Sequence, residues 1–172
     1  MNDIMLEWET IDISPSEIAI THYNGGGTEE VIVPSNIGSK KVVSILSENN
    51  SPVFAYDDKI KKIKFPKTIK EFSGYICEGT AVLDCFEMEA NDIFIAKDGV
   101  IFTADEETLV LFPPNRKGSY SLPYKVKHVT QLAFYGSELS ELACSEQINS
   151  ISEFAFLNSK LRSISPKLKL GI

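Results

Sequence analysis

Apolar residues recur along this chain with a spacing that is neither a sustained period of two nor one of 3.6. The stretch VKHVTQLAFYGSELSELACSEQ, from Val126, can be laid over INSISEFAFLNSKLRSISPKL, from Ile148, twenty-two residues on. Val126 matches Ile148, Val129 matches Ile151, and Leu132 matches Phe154. Ala133-Phe134 then falls on Ala155-Phe156, Ser137 on Ser159, Leu139 on Leu161 and Leu142 on Ile164. A fixed period of this size predicts stacked repeats, because no single copy can enclose its own Ile, Leu and Phe side chains. Extended pieces at 139–144 and 161–165 alternate with polar turns at 135–137 and 157–159. In the Ala-Phe pair, Ala lets coils approach closely, while Phe fills the interior at roughly 2–3 kcal/mol for a fully buried ring.

Earlier copies are looser. Val42-x-x-Ile45 corresponds to Val126-x-x-Val129, and Ile60-x-x-Ile63-x-Phe65-Pro66 to Leu139-x-x-Leu142-x-Cys144-Ser145, with SENNSPVFAYDD between them. Phe54-Ala55 there reverses the Ala-Phe order. Ile69-x-x-Phe72 restarts the motif, which predicts about five turns of a coil, two of them with inserted loops. In the divergent middle, Ile93-Phe94-Ile95 and Val100-Ile101-Phe102 flank Asp98-Gly99, a two-residue hairpin signal because both central residues need positive φ. Leu109-Val110-Leu111-Phe112 predicts a further strand, stopped by Pro113-Pro114. Near the N-terminus, Ile18-Ala19-Ile20 and Val31-Ile32-Val33 flank Asn24-Gly25-Gly26-Gly27 and read as a strand pair that caps the open end of the stack.

These segments resemble the BspA-like, or treponemal-type, leucine-rich repeat family. VKHVTQLAFYGSELSEL and INSISEFAFLNSKLRSI are similar to its repeat, in which an Ile-Gly-x-x-Ala-Phe-like core precedes a Leu-x-x-Ile-x-(Ile/Leu)-Pro strand. ITHYNGGGTEEVIVPSNIGSKKVVSI resembles its opening module, and AKDGVIFTADEETLVLFPPNRKGSYSLP its Asp-Gly-Val hairpin insert. Thr130-Gln131 and Ser152-Glu153 stand where the family often has Gly. The resemblance implies a leucine-rich-repeat right-handed solenoid, β-rich, with short turns or 3-10 segments on the outer side and an inserted β-hairpin. It divides a single repeat domain, 1–172, into an N-terminal strand cap (1–35), first repeats (36–72), a divergent repeat with the hairpin (73–121) and two regular 22-residue repeats (122–172).

Charge narrows the partners. Seventeen Lys+Arg against 24 Asp+Glu leave a net charge of −7, which repels phosphate polyanions and argues against a whole-surface nucleic-acid or anionic-membrane binder. No apolar run approaches the roughly 20 residues of a membrane-spanning helix, so membrane insertion is not expected. The first twenty residues have neither a basic n-region nor a continuous apolar h-region. That predicts a cytoplasmic location for the chain as it stands, and a secreted or cell-surface one where a leader has been trimmed. Cys77, Cys85 and Cys144 form no C-x-x-C pair and read as small buried apolar side chains, with a Cys77–Cys85 bridge as the alternative. Asn49-Asn50-Ser51 is a formal glycosylation sequon.

Catalytic constellations are sparse. His22 and His128 have no second ligand at metal-binding spacing, and no cofactor is implied. G-x-S-x-G is missing, and Gly25-Gly26-Gly27 leads into Thr28-Glu29-Glu30, where an anion would meet negative charge. The acidic groups Asp57-Asp58, Asp84/Glu87/Glu89 and Asp105-Glu106-Glu107 lack calcium-loop spacing. The expected function is therefore non-enzymatic: a protein-binding or adhesion-type module that presents a solenoid face to a protein or glycan. The alternatives are an intracellular scaffold or regulatory subunit and, behind it, a glycan hydrolase using a carboxylate pair. The lysine run 59–70 suggests where binding occurs. In repeat register Lys61-Lys62 falls beside Ser140-Glu141 and Arg162-Ser163, so Lys61, Lys62, Lys64, Glu141 and Arg162 are the candidate partner-binding residues, on a ribbon with basic ends and a more acidic middle. Solvated lysines guarding a strand edge are the competing explanation. The family resemblance implies a host matrix protein or bacterial surface protein as partner.

Overall fold

Each extended piece finds its hydrogen-bonding partner one repeat away, and this turns the apolar spacing into coils. The computed structural model describes residues 7–165. Along one side run two three-stranded parallel sheets: Glu30–Ile32, Lys62–Phe65 and Cys85–Met88, then Gly118–Ser121, Leu139–Ala143 and Ser163–Ser165. These strands mark six coils, one more than the sequence spacing suggests. Val31 pairs with Ile63 and Ile63 with Phe86; Tyr120 pairs with Leu142 and Leu142 with Ile164. Strand alternation sends Ile63, Phe86 and Leu142 inward and leaves Lys62, Lys64 and Glu141 on the outer face. A second side carries Glu17–Tyr23, Lys40–Leu46 and Glu71–Ser73 in parallel, followed later by Thr108–Leu111, His128–Val129 and Ser150–Ile151.

The outer segments are chains of tight turns, not 3-10 helix. Ala133, Tyr135 and Ser137 donate their N–H groups to the carbonyls of Thr130, Leu132 and Phe134, and the pattern recurs one coil later at Ala155, Leu157 and Ser159. Leu132 and Phe154 both take φ of 59°, a left-handed conformation that interrupts any helix. This outward kink leaves Phe154 52% exposed, so the Leu132/Phe154 coincidence marks a turn position and not a core one. The repeated serine has a local role: Ser137, fully buried, accepts the Leu139 N–H on its Oγ at 3.1 Å and so holds the chain as it enters the strand.

The hairpin forms as Asp98-Gly99 dictates. Phe94–Lys97 and Val100–Thr103 pair antiparallel, with Asp98 at φ 47° and Gly99 at φ 73°. Its tip slots between the two parallel sheets: the Phe86 N–H donates to the Gly99 carbonyl at 2.9 Å, and the Arg116 guanidinium donates to the Asp98 carbonyl. Thr108–Leu111 then adds antiparallel to Val100–Thr103.

The N-terminal pairing differs from expectation. Ile18–Ile20 does not pair with Val31–Val33. It lies in Glu17–Tyr23, which pairs antiparallel with Trp8–Ser14 and parallel with Lys40–Leu46, whereas Val31 belongs to the first strand of the other ladder. The hairpin 8–23 lays Trp8 over Tyr23, ring centroids 4.7 Å apart, and edge-on to Phe54 at 6.2 Å. Phe54 itself takes the place of Phe134, since its N–H donates to Ile76 O as that of Phe134 does to Ala155 O. Val53-Phe54, not a reversed Phe54-Ala55, is thus the counterpart of Ala133-Phe134.

The interior has two clusters. One gathers Ile20, Ile45, Phe54, Ile63, Phe65 and Phe86; the other gathers Phe102, Leu109, Phe112, Val126, Phe134 and Leu142. Phe134 stacks between Phe112 at 4.7 Å and Phe156 at 5.0 Å, which is the shared spine the repeat predicts. The strand Val100–Thr103 serves both clusters: Ile101 packs into the first, Val100 and Phe102 into the second.

Candidate binding surfaces

The parallel strands project their outward side chains in rows set by register, about 4.8 Å apart from strand to strand. In the first sheet, Glu30, Lys62 and Cys85 form one row and Ile32, Lys64 and Glu87 the next. In the second sheet the rows are Ser119, Glu141 and Ser163, then Ser121, Ala143 and Ser165. The face therefore changes character along its length. Its N-terminal half is charged and carries Ile32 at 64% exposure, and its C-terminal half is short-chained and hydroxylated.

The candidate residues occupy three places on this surface. Lys62 and Lys64 lie two residues apart on one strand. Glu141 stands in the second sheet, beyond the inserted hairpin tip, and Arg162 lies just before the last strand, where its N–H donates to Ser140 O at 2.9 Å. Two of the three lysines are matched by acids from neighbouring coils. Lys61 meets Glu29 and Lys62 meets Glu87, each at 2.7 Å. The hydrogen bond from Lys62 holds the Glu87 carboxyl below its ordinary pKa and raises that of Lys62 in turn. Lys64 has no acid within ion-pair distance among the described residues. It lines two grooves instead: one of about 220 Å³ beside Ile32, Pro34 and Glu89, and one of about 420 Å³ toward Cys85, Glu87 and the hairpin tip. Lys64 between two grooves was beyond the reach of the sequence, because the hairpin wall of the larger one comes from Ala96, Asp98 and Gly99.

Several of the groups considered for chemistry are engaged structurally. His22 Nδ1 lies 3.2 Å from the Pro52 carbonyl, and His128 Nδ1 2.7 Å from Ser150 Oγ one coil away. Glu106 takes Lys97 and Lys125, and Glu107 takes Lys127. Asp105 closes its own turn, accepting from the Thr103 hydroxyl at 2.6 Å and the Glu107 N–H at 2.9 Å. Glu87, Asp105 and Glu106 all have lowered pKa values, the opposite of what a proton-donating glycosidase acid needs. The three cysteines are free thiols. Asn49 and Asn50 of the sequon form an exposed left-handed turn, φ 51° and 57°.

Comparison with curated proteins gives no match. Among solved structures, the pneumococcal vaccine antigen PcpA is similar at 26% identity with a TM-score of 0.63, over 80% of this chain and 39% of that one. The chain thus spans well under half of PcpA's length. The Treponema pallidum leucine-rich repeat protein TpLRR, at 16% identity and a TM-score of 0.53, shares the fold over 92% of this chain and 68% of that chain. A leucine-rich cell surface protein of Faecalibacterium prausnitzii, 12% identical with a TM-score of 0.50, does so over 92% of this chain and 74% of its own. The family model for the BspA type leucine-rich repeat region matches residues 29–99 and 116–170 in six copies. Six strand-bearing coils, the stacked Phe spine and that match agree: the chain belongs to the BspA-type leucine-rich repeat family.

Proposed function

We propose that the chain is a non-enzymatic binding module that docks a protein partner on its strand face, centred on Lys64. One observation carries this: Lys64, which unlike Lys61 and Lys62 has no acid within ion-pair distance among the described residues, stands between two grooves and beside the exposed Ile32. A rigid ladder fixes the backbone from which these side chains project, so docking costs side-chain freedom and no backbone ordering. The fitting partner offers an acidic group to Lys64 and an apolar side chain to the Ile32 groove. Glu141 and Arg162 extend the same face toward the C-terminal coils and serve as its second, weaker contact. A bacterial surface or host matrix protein that carries such groups fits this chemistry.

The test is a pull-down from bacterial and host lysates with the whole chain as bait, followed by titration of the partner recovered. Lys64→Glu should weaken that partner at least about tenfold and flatten its salt dependence, whereas Lys61→Glu, which only breaks an exposed pair, should change little. Equal effects of the two reversals, or unchanged affinity in the Lys61/Lys62/Lys64 triple reversal, would refute the assignment.

A further inference from the structure

Coil four is short on its turn side. Between its two strands it has only residues 112–117, where coil three has 74–84, coil five 130–138 and coil six 152–162. Pro113-Pro114 limits this coil to a single tight turn, in which the Arg116 N–H donates to the Pro113 carbonyl at 3.4 Å, since neither proline can donate a hydrogen bond to extend it. The longer turns of the flanking coils therefore stand above it as walls. The result is a notch of about 250 Å³ floored by Pro114 and Asn115 and walled by Glu78, Ala81, Tyr135 and Asn158. It shares no lining residue with the strand face.

The polar groups around this notch are unusually open to a ligand. Tyr135 donates its hydroxyl to Glu78 Oε1 at 3.0 Å and accepts from Asn158 Nδ2 at 3.2 Å, so one Glu78 oxygen and the Asn158 carbonyl oxygen stay available. The Asn115 backbone is held at the floor by its N–H to Leu83 O at 2.8 Å. Thr80 also lines the notch, and its buried Oγ1 has no hydrogen-bond partner. Glu138 at the rim is already neutralised by Lys160 at 2.7 Å. Beside these groups stand the pyrrolidine of Pro114, the methyl of Ala81 and the bare backbone of Gly79 and Gly136.

We propose that this notch is a binding site for a single pyranose ring of a neutral saccharide. Carboxylate and carboxamide groups pair with vicinal hydroxyls as both donors and acceptors, and Pro114 with Ala81 offers an apolar patch to the C–H face of a ring. Other ligand classes fit less well. An anion would meet Glu78 with no unengaged cation from the lining; an apolar molecule would strand two carboxamides. The volume is below that of drug-sized pockets and suits one ring. The tyrosine is pre-positioned for this: Tyr75 packs edge-on against its ring at 4.9 Å, and Glu78 and Asn158 fix its hydroxyl, so recognition requires no rearrangement.

The experiment is an amide-shift titration of the isotope-labelled whole chain with methyl glycosides of glucose, galactose, mannose and N-acetylglucosamine. Methylammonium and inorganic phosphate serve as the competing probes. At least one glycoside should bind in the millimolar range, with shifts confined to residues 77–81, 115, 135–138 and 158. Asn158→Ala and Glu78→Gln should each weaken it about tenfold, as loss of a ligand hydrogen bond implies. Ala81→Trp, at an exposed position, should abolish binding without changing the unfolding midpoint. No glycoside shifts, shifts elsewhere, binding that survives Ala81→Trp, or preference for methylammonium or phosphate would overturn the proposal. None of these outcomes bears on docking at Lys64.

Discussion

Phe134 is where the stacked interior can be tested most directly. Its ring is 1% exposed and lies against Phe112 at 4.7 Å on one side and Phe156 at 5.0 Å on the other. Truncation to Ala removes a fully enclosed ring and leaves a cavity that a rigid ladder cannot close, which costs about 3–5 kcal/mol. Two lost ring pairs, each worth roughly 0.5–1.5 kcal/mol, place Phe134→Ala at the upper end. Phe156 is only partly buried and has one ring neighbour, so Phe156→Ala should cost about half as much. Urea unfolding followed by circular dichroism gives both numbers, with the slope m compared among the variants to confirm that cooperativity is kept. On heating, the Phe134 variant should melt roughly 8–20 °C lower. A loss below about 1.5 kcal/mol for Phe134→Ala, or one no larger than that of Phe156→Ala, would refute the shared spine.

Three further outcomes follow from local geometry. Gly99→Ala should destabilise by about 1–3 kcal/mol in the same assay, because φ is 73° and a Cβ would lie 2.9 Å from Arg116 and 3.2 Å from Cys85; a neutral result would contradict the hairpin tip's placement. Burial pushes all three thiols up, Cys77 furthest and Cys144 to about 11. Iodoacetamide on the native protein should therefore label half-exposed Cys85 first and Cys77 only on unfolding, as mass spectrometry would show. Glu87 and Glu106 are held below the ordinary carboxylate range by lysine hydrogen bonds, and Asp105 by the Thr103 hydroxyl. Groups with depressed folded-state pKa stabilise above their unfolded pKa, and that contribution is lost as pH falls through the folded values. Carbon-detected NMR should find these carboxyls titrating lower than ordinary ones, and titration at or above the ordinary range would contradict the pairing.

The parts of the fold that were legible in the sequence are those where a residue type has one conformational use. Asp98-Gly99 between apolar triplets meant a hairpin, and the Ala-Phe spacing meant coils. The cap was misread for the converse reason. Trp8–Ser14 is mostly exposed and its apolar residues, Trp8, Ile11 and Ile13, keep no regular alternation, and Val31–Val33 alternates without naming its partner. Val53-Phe54 escaped notice because Val, not Ala, makes the close approach there. On the strand face, Lys61 and Lys62 looked like free charge because their partners, Glu29 and Glu87, come from adjacent coils 32 and 25 residues away along the chain. Neither the notch nor the Lys64 grooves correspond to any local motif. They arise from unequal lengths of neighbouring coils and from an insert, differences that register only once the coils are stacked.

The strand Val100–Thr103 gives the molecule a party wall. A plain repeat array holds together only through nearest neighbours, so it can fray from either end one unit at a time. Here Ile101 is rooted in one half and Val100 and Phe102 in the other, so melting either half strips the wall of support on that side and unsettles the remaining half. The insert that looks like an interruption of the stack is what obliges its two halves to stand or fall together.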